Sequence, residues 1–124
     1  DKKHPVIRIS FGSGDFSTEE KFDQTIHDVL RDNIERLGLD CEDSARKPNS
    51  CFRELLKKAY QSFGAKTVIL IDEYDKPILD HITDKETARR NRDKLMGFYS
   101  IIKDLDEYIR FVMITGVSKF AKMN

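Results

Sequence analysis

The sequence predicts an α/β fold: a parallel sheet of three strands, on a three-layer plan, that forms part of a wider sheet. Three short apolar runs, residues 6–11, 67–71 and 109–115, are rich in β-branched side chains and bounded by turn residues. Two longer segments between them carry apolar residues at helical spacing. Each is long enough for the crossover that connects parallel strands. Three strands make a narrow sheet, so we expect further strands beside it.

The first connection is predicted to hold two helices. Ser17 begins a capping box, and the helix after it ends at Gly38. Residues 40–49 are polar and read as a loop, after which Ser50 is placed to cap a second helix that ends at Gly64.

The second connection is predicted to hold a short helix and a long one. Pro77 suits the first turn of the short helix, and Thr83 or Asp84 begins the long one. The mixed charges of residues 89–94 are typical of a solvated helix face. Residues 117–124 resemble the start of a further helix.

Composition narrows the range of partners. The 124 residues fit one domain, and 22 basic residues balance 22 acidic ones. Without net charge there is no overall field toward nucleic acid or an anionic membrane, so neither partner is indicated. No apolar stretch could cross a bilayer and no export signal is evident, so we expect a cytoplasmic protein. Cys41 and Cys51, ten residues apart, could pair, but in that reducing compartment we expect free thiols.

Two adjacent carboxylates at the end of the central strand are the strongest candidates for chemistry. Asp72 and Glu73 lie at the carboxyl end of a buried strand, where ligands of parallel sheets collect. Asp72 is suited to hold Mg²⁺ beside phosphates, and Glu73 to deprotonate an attacking water. Thr115, at the end of the next strand, could hydrogen-bond that water or a γ-phosphate. These residues predict nucleotide hydrolysis.

The same stretch carries a resemblance to a known family. Residues 68–73, four apolar residues and then Asp-Glu, match the Walker B motif of P-loop ATPases. The longer segment Val68–Ile78 resembles the AAA-ATPase-like family of bacterial proteins, in which the module lies upstream of a nuclease-like region. Residues 5–11 fit as the strand after the phosphate-loop helix, 110–117 as the sensor-1 strand, and 118–122 as the beginning of the segment after that strand.

The resemblance covers the chain and implies a partial AAA-ATPase-like domain with a P-loop NTPase-like sheet over residues 1–124. It implies that Asp72 binds Mg²⁺, that Glu73 is the catalytic base and that Thr115 is the sensor residue. ATP and Mg²⁺ would be the cofactors of the intact parent. Its other partners would be a preceding Walker A segment and a nuclease-like domain of the same protein.

One departure from the family affects activity. The chain contains no G-x-x-x-x-G-K-[ST] phosphate loop, and Gly12 and Gly14 read as a plain turn. Without the N–H cradle and the lysine, we expect this chain alone to bind no cofactor and to be inactive. The family topology orders the strands 6–11, 67–71, 109–115 and places the missing strand beside the last. That edge would be open and able to pair with a second copy.

Three other interpretations fit parts of the pattern. A receiver domain would use Asp72 as the phosphorylated residue, but this chain lacks the acidic pair that ends a receiver's first strand. A metal-dependent nuclease would use Asp72, Glu73, Asp75 and Lys76, yet these form one compact run rather than carboxylates from separate strands. In a structural or interaction module without catalysis, the acidic pair would only favour the N-terminus of the next helix.

Overall fold

The computed structural model describes residues 3–42 and 47–116 and has an α/β architecture. In chain order its elements are β1 (Val6–Ser10), α1 (Glu19–Leu37), α2 (Pro48–Phe63), β2 (Thr67–Asp72), α3 (Lys76–Leu79), α4 (Lys85–Asp104), a 3₁₀ turn (Asp106–Tyr108) and β3 (Ile109–Ile114). The predicted helix start at residues 117–124 lies outside the described residues.

The sheet has the predicted class and strand order. All three strands are parallel, in the order β1-β2-β3, so the strand with the carboxylates is central. Ser10 pairs with Asp72 across β1 and β2, and Ile71 pairs with Ile114 across β2 and β3. The carboxyl ends of the three strands therefore lie together at one end of the sheet.

The start of α1 differs by one residue from the prediction. Thr18 is the N-cap, and its side chain accepts a hydrogen bond from the Lys21 N–H. Ser17 is unavailable for capping because its hydroxyl and its N–H both donate to the Asp15 carboxylate, at 2.7 and 3.0 Å. Gly38 ends the helix as predicted, in the left-handed conformation that glycine adopts without strain.

The start of α2 differs from the prediction, whereas the starts of α3 and α4 agree with it. Helix α2 begins at Pro48 rather than after Ser50, because proline's fixed φ and missing N–H suit the first helical position. Asp84 caps α4 as predicted, with its carboxylate accepting from the Thr87 N–H. The first turn of α3 contains Pro77, also as predicted.

The core lies between one face of the sheet and the three long helices. Ile7 and Ile9 of β1 and Ile69 and Ile71 of β2 are each at most 1% exposed and belong to one apolar cluster with α1, α2 and α4. On the opposite face, Phe111 and Met113 of β3 are 50% and 57% exposed, whereas Val68 and Leu70 of β2 are partly buried. The described part of the chain thus forms a sheet covered by long helices on one side.

The two edges of the sheet are treated differently. At β1, Asn33 of α1 accepts from the Arg8 N–H and donates to the Arg8 carbonyl, both at 2.8 Å, and Arg36 donates to the Val6 carbonyl. Asn33 thereby satisfies backbone groups that a further strand would otherwise pair. At the other edge, β3 exposes Phe111 and Ile114 at 50% each. Pairing of this edge with a second copy stays a prediction.

None of the described helices has the length and apolar character needed to cross a membrane.

Candidate functional site

The ends of β2 and β3 bring the three predicted site residues together. The Thr115 hydroxyl donates a short hydrogen bond to Asp72 Oδ1 and accepts from the Glu73 N–H at 3.4 Å. Backbone bonds hold this arrangement, because Thr115 N–H donates to the Ile71 carbonyl and Tyr74 N–H to the Thr115 carbonyl. Asp72 is exposed, so its carboxylate faces solvent rather than the core. Thr115 lies at this position because β3 is parallel to β2 and adjacent to it.

Glu73 departs from strand geometry. Its φ of 55° lies in the left-handed region, which a residue with a side chain rarely adopts. This backbone turn directs the Glu73 side chain toward Gly12, where an added Cβ would overlap its carboxylate. Gly12 was predicted only as part of a turn, so sequence reasoning missed that its lack of a side chain leaves room for Glu73. A Gly directly after the first strand was the available signal.

The turn after the carboxylates is fixed by two side chains. The Tyr99 hydroxyl of α4 donates to the Tyr74 carbonyl at 3.2 Å, and burial raises the pKa of Tyr99, so the group stays a protonated donor. Lys76 pairs with Asp80 at 2.7 Å, and this hydrogen bond raises the pKa of the Lys76 ammonium. A positive charge is therefore retained three residues beyond Glu73.

Asn91 of α4 connects the two loops that flank the site. Its side-chain N–H₂ donates to the Phe16 carbonyl after β1, at 3.0 Å, and to the Pro77 carbonyl after β2, at 2.8 Å. Asn91 is fully buried. The prediction of a solvated face for residues 89–94 is therefore wrong at this position. A polar residue four positions before the buried Leu95 was the signal in the sequence.

The donor set suits a hard cation that is also held by phosphates. Among the residues that the structure describes, no group of three or more His, Cys, Asp or Glu side chains could enclose a metal ion. Mg²⁺ does not need such a cage, because it keeps several waters and is usually held by one or two carboxylates together with substrate phosphates. An exposed Asp72 beside the Thr115 hydroxyl fits that mode of binding.

The three-stranded parallel sheet flanked by helices is consistent with a partial P-loop-like α/β fold. The chain belongs to the AAA-ATPase-like family: the family model, described as a predicted AAA-ATPase, matches residues 1–124. The chain is 44% identical over 123 residues to an uncharacterized protein encoded in the vnfD 5′ region of Azotobacter chroococcum mcd 1. That match covers 99% of this chain and 23% of the relative, so the chain spans about a quarter of the relative's length. No solved structure matches it.

Proposed function

We propose that this chain supplies the Walker B half of an ATP-hydrolysing site, and that a phosphate-binding segment of the same polypeptide supplies the other half. The observation that carries the proposal is the hydrogen bond between Thr115 and Asp72 at the carboxyl ends of adjacent parallel strands. Together with the bond from the Glu73 N–H to the same hydroxyl, it joins the three residues whose types this chemistry requires: a carboxylate for Mg²⁺, a second carboxylate as base and a hydroxyl as sensor.

Asp72 would hold Mg²⁺ together with the phosphates of ATP. The bound ion would neutralise charge that develops on the phosphoryl oxygens. The hydrogen bond from Thr115 fixes one oxygen of the Asp72 carboxylate and thereby orients the group. It also links the position of Asp72 to the end of β3.

Glu73 would deprotonate the attacking water. The left-handed turn directs the Glu73 carboxylate away from the strand and against Gly12. The carboxylate therefore lies at the carboxyl end of the sheet rather than within the hydrophobic core. Proton transfer to a positioned carboxylate contributes about 10²–10⁴-fold to a rate, which sets the size of the effect to look for.

The missing half of the site has room beside β3. This strand is at the sheet edge, and Phe111, Met113 and Ile114 are 50%, 57% and 50% exposed. A further parallel strand with a phosphate loop after it would pair with that edge and bury these side chains. Its loop would then lie near the carboxyl end of β3, close to Thr115.

Calorimetry with ATP tests the proposal on a longer polypeptide that carries a phosphate loop before this sequence. We expect binding that is tighter with Mg²⁺ than with EDTA, and we expect Asp72→Asn to remove that difference. Asp80→Asn, which removes a carboxylate at the end of α3, is the matched control and should keep it. The 124-residue chain alone should show no measurable heat. A Mg²⁺ dependence that survives Asp72→Asn would disprove the role of Asp72.

A further inference from the structure

Two thiols meet on the side of the molecule formed by the α1–α2 connection. Cys41 comes after the end of α1, and Cys51 lies in the first turn of α2. Their Sγ atoms are 2.8 Å apart, and both residues are free and buried. A disulfide bond is about 2.05 Å long, so the two sulfurs need to approach by less than about 1 Å to be joined.

The pair is within reach of small molecules from solvent. Cys41 and Cys51 line a cavity of about 150 Å³, and they are 9% and 3% exposed. The rim of this cavity is mostly polar, with His27, Arg31, Glu35 and Asp40. A cavity of this size admits a molecule as small as a peroxide.

We propose that Cys41 and Cys51 form a dithiol that hydrogen peroxide oxidises to an intramolecular disulfide. Neither residue belongs to the Asp72 site, and the proposal does not depend on ATP hydrolysis. The redox change would convert a packing contact between the end of α1 and the start of α2 into a covalent cross-link.

The chemistry proceeds in two steps. The Cys41 sulfur, the more exposed of the two, attacks one peroxide oxygen; the O–O bond breaks, water leaves with the thiol proton, and a sulfenic acid forms. The Cys51 sulfur then attacks the Cys41 sulfur, the S–O bond breaks, and a second water leaves with the Cys51 proton. The two sulfurs together lose two electrons, and the peroxide is reduced to two waters.

The surroundings favour cross-linking over further oxidation. Burial raises the pKa of both thiols, so each remains protonated and its first reaction with peroxide is slow. Once a sulfenic acid forms on Cys41, the second sulfur is already in contact with it. A neighbouring thiol resolves the sulfenic acid before more peroxide can convert it to a sulfinic acid.

Peroxide treatment of the chain, then alkylation under denaturing conditions and peptide mass mapping, tests the proposal. We expect the chain to stay monomeric and to lose about 2 Da. The loss should map to a peptide that links Cys41 to Cys51, and dithiothreitol should reverse it. Because a cross-link reduces the entropy of the unfolded chain, the oxidised form should melt about 5 °C or more above the reduced form.

Serine variants are the matched controls. Cys41→Ser and Cys51→Ser should each leave one thiol that peroxide carries to a sulfenic or sulfinic acid without an internal cross-link. The double serine variant should melt at the same temperature before and after treatment. Three results on the wild-type chain would each overturn the proposal: sulfinic acid without a cross-link, no oxidation of either cysteine, or a melting temperature lowered by the cross-link. These readouts need no variant to fold.

Discussion

At the scale of single residues, the conformation of Glu73 is the feature that most directly connects sequence to site. A left-handed backbone costs a residue with a Cβ roughly 1 kcal/mol relative to glycine, and β-branched residues tolerate it least. The Tyr74 N–H bond to the Thr115 carbonyl, made directly after the turn, offsets part of that cost. The proposed chemistry thus requires an acidic side chain at Glu73, although the left-handed backbone there disfavours any residue with a Cβ.

Substitutions at Glu73 should separate backbone strain from side-chain chemistry. We expect Glu73→Val to lower the free energy of unfolding by about 1–2 kcal/mol, because its branched side chain clashes in this conformation. Glu73→Asn should leave it unchanged or raise it, because asparagine adopts left-handed φ values more readily. Urea denaturation of the chain measures both, with Glu73→Gln as the isosteric control. Equal stability of the valine and asparagine variants would contradict the assigned backbone conformation.

At the scale of elements, the helices position the loops around the site more than they touch it. Asn91 holds the Phe16 and Pro77 carbonyls, and Tyr99 holds the Tyr74 carbonyl, so α4 ties together the loops after β1 and β2. Helix α1 performs a similar task at the sheet edge, where Asn33 bonds the backbone of β1.

Removal of the Asn91 side chain should destabilise the fold. We expect Asn91→Leu, which keeps the number and branching of side-chain heavy atoms, to lower the free energy of unfolding by about 1–3 kcal/mol, because two loop carbonyls lose their donor. Ser100→Ala on the same helix is the control, since the Ser100 hydroxyl is exposed and, among the residues that the structure describes, bonds only the Gly97 carbonyl. Its effect should stay within about 0.5 kcal/mol. An Asn91 variant as stable as the Ser100 variant would show that the loops do not rely on this link.

The elements also show where sequence reasoning succeeds and where it stops. The apolar runs that became β1, β2 and β3 were evident because a strand buried in a parallel sheet must be almost continuously apolar. The start of α1 was displaced because Asp15 binds the Ser17 side chain, and the start of α2 because Pro48 suits the first helical position. The proximity of Gly12 to Glu73 and the links made by Asn91 were missed, because a glycine after a strand and a polar residue on a helix do not by themselves give the path of the loops between elements.

At the scale of the whole molecule, the described residues cover one face and one edge of the sheet more fully than the other face and edge. Helices bury Ile9 and Ile71 on one face of the sheet, and Asn33 closes the β1 edge. Phe111 and Met113 of the edge strand β3 are exposed on the opposite face. The strand ends at Ile114, one residue before Thr115. The chain spans 23% of the length of its Azotobacter relative.

The central claim is that Glu73 deprotonates the water that attacks a nucleotide held beside Asp72. ATP hydrolysis by a longer protein that carries the phosphate loop tests it most directly. The measurement compares wild type with Glu73→Gln, together with the ATP affinity of each. We predict hydrolysis slowed by about 100-fold or more with affinity unchanged, because glutamine keeps the shape of the side chain but cannot take the proton. Equal hydrolysis rates in the two proteins would contradict the claim.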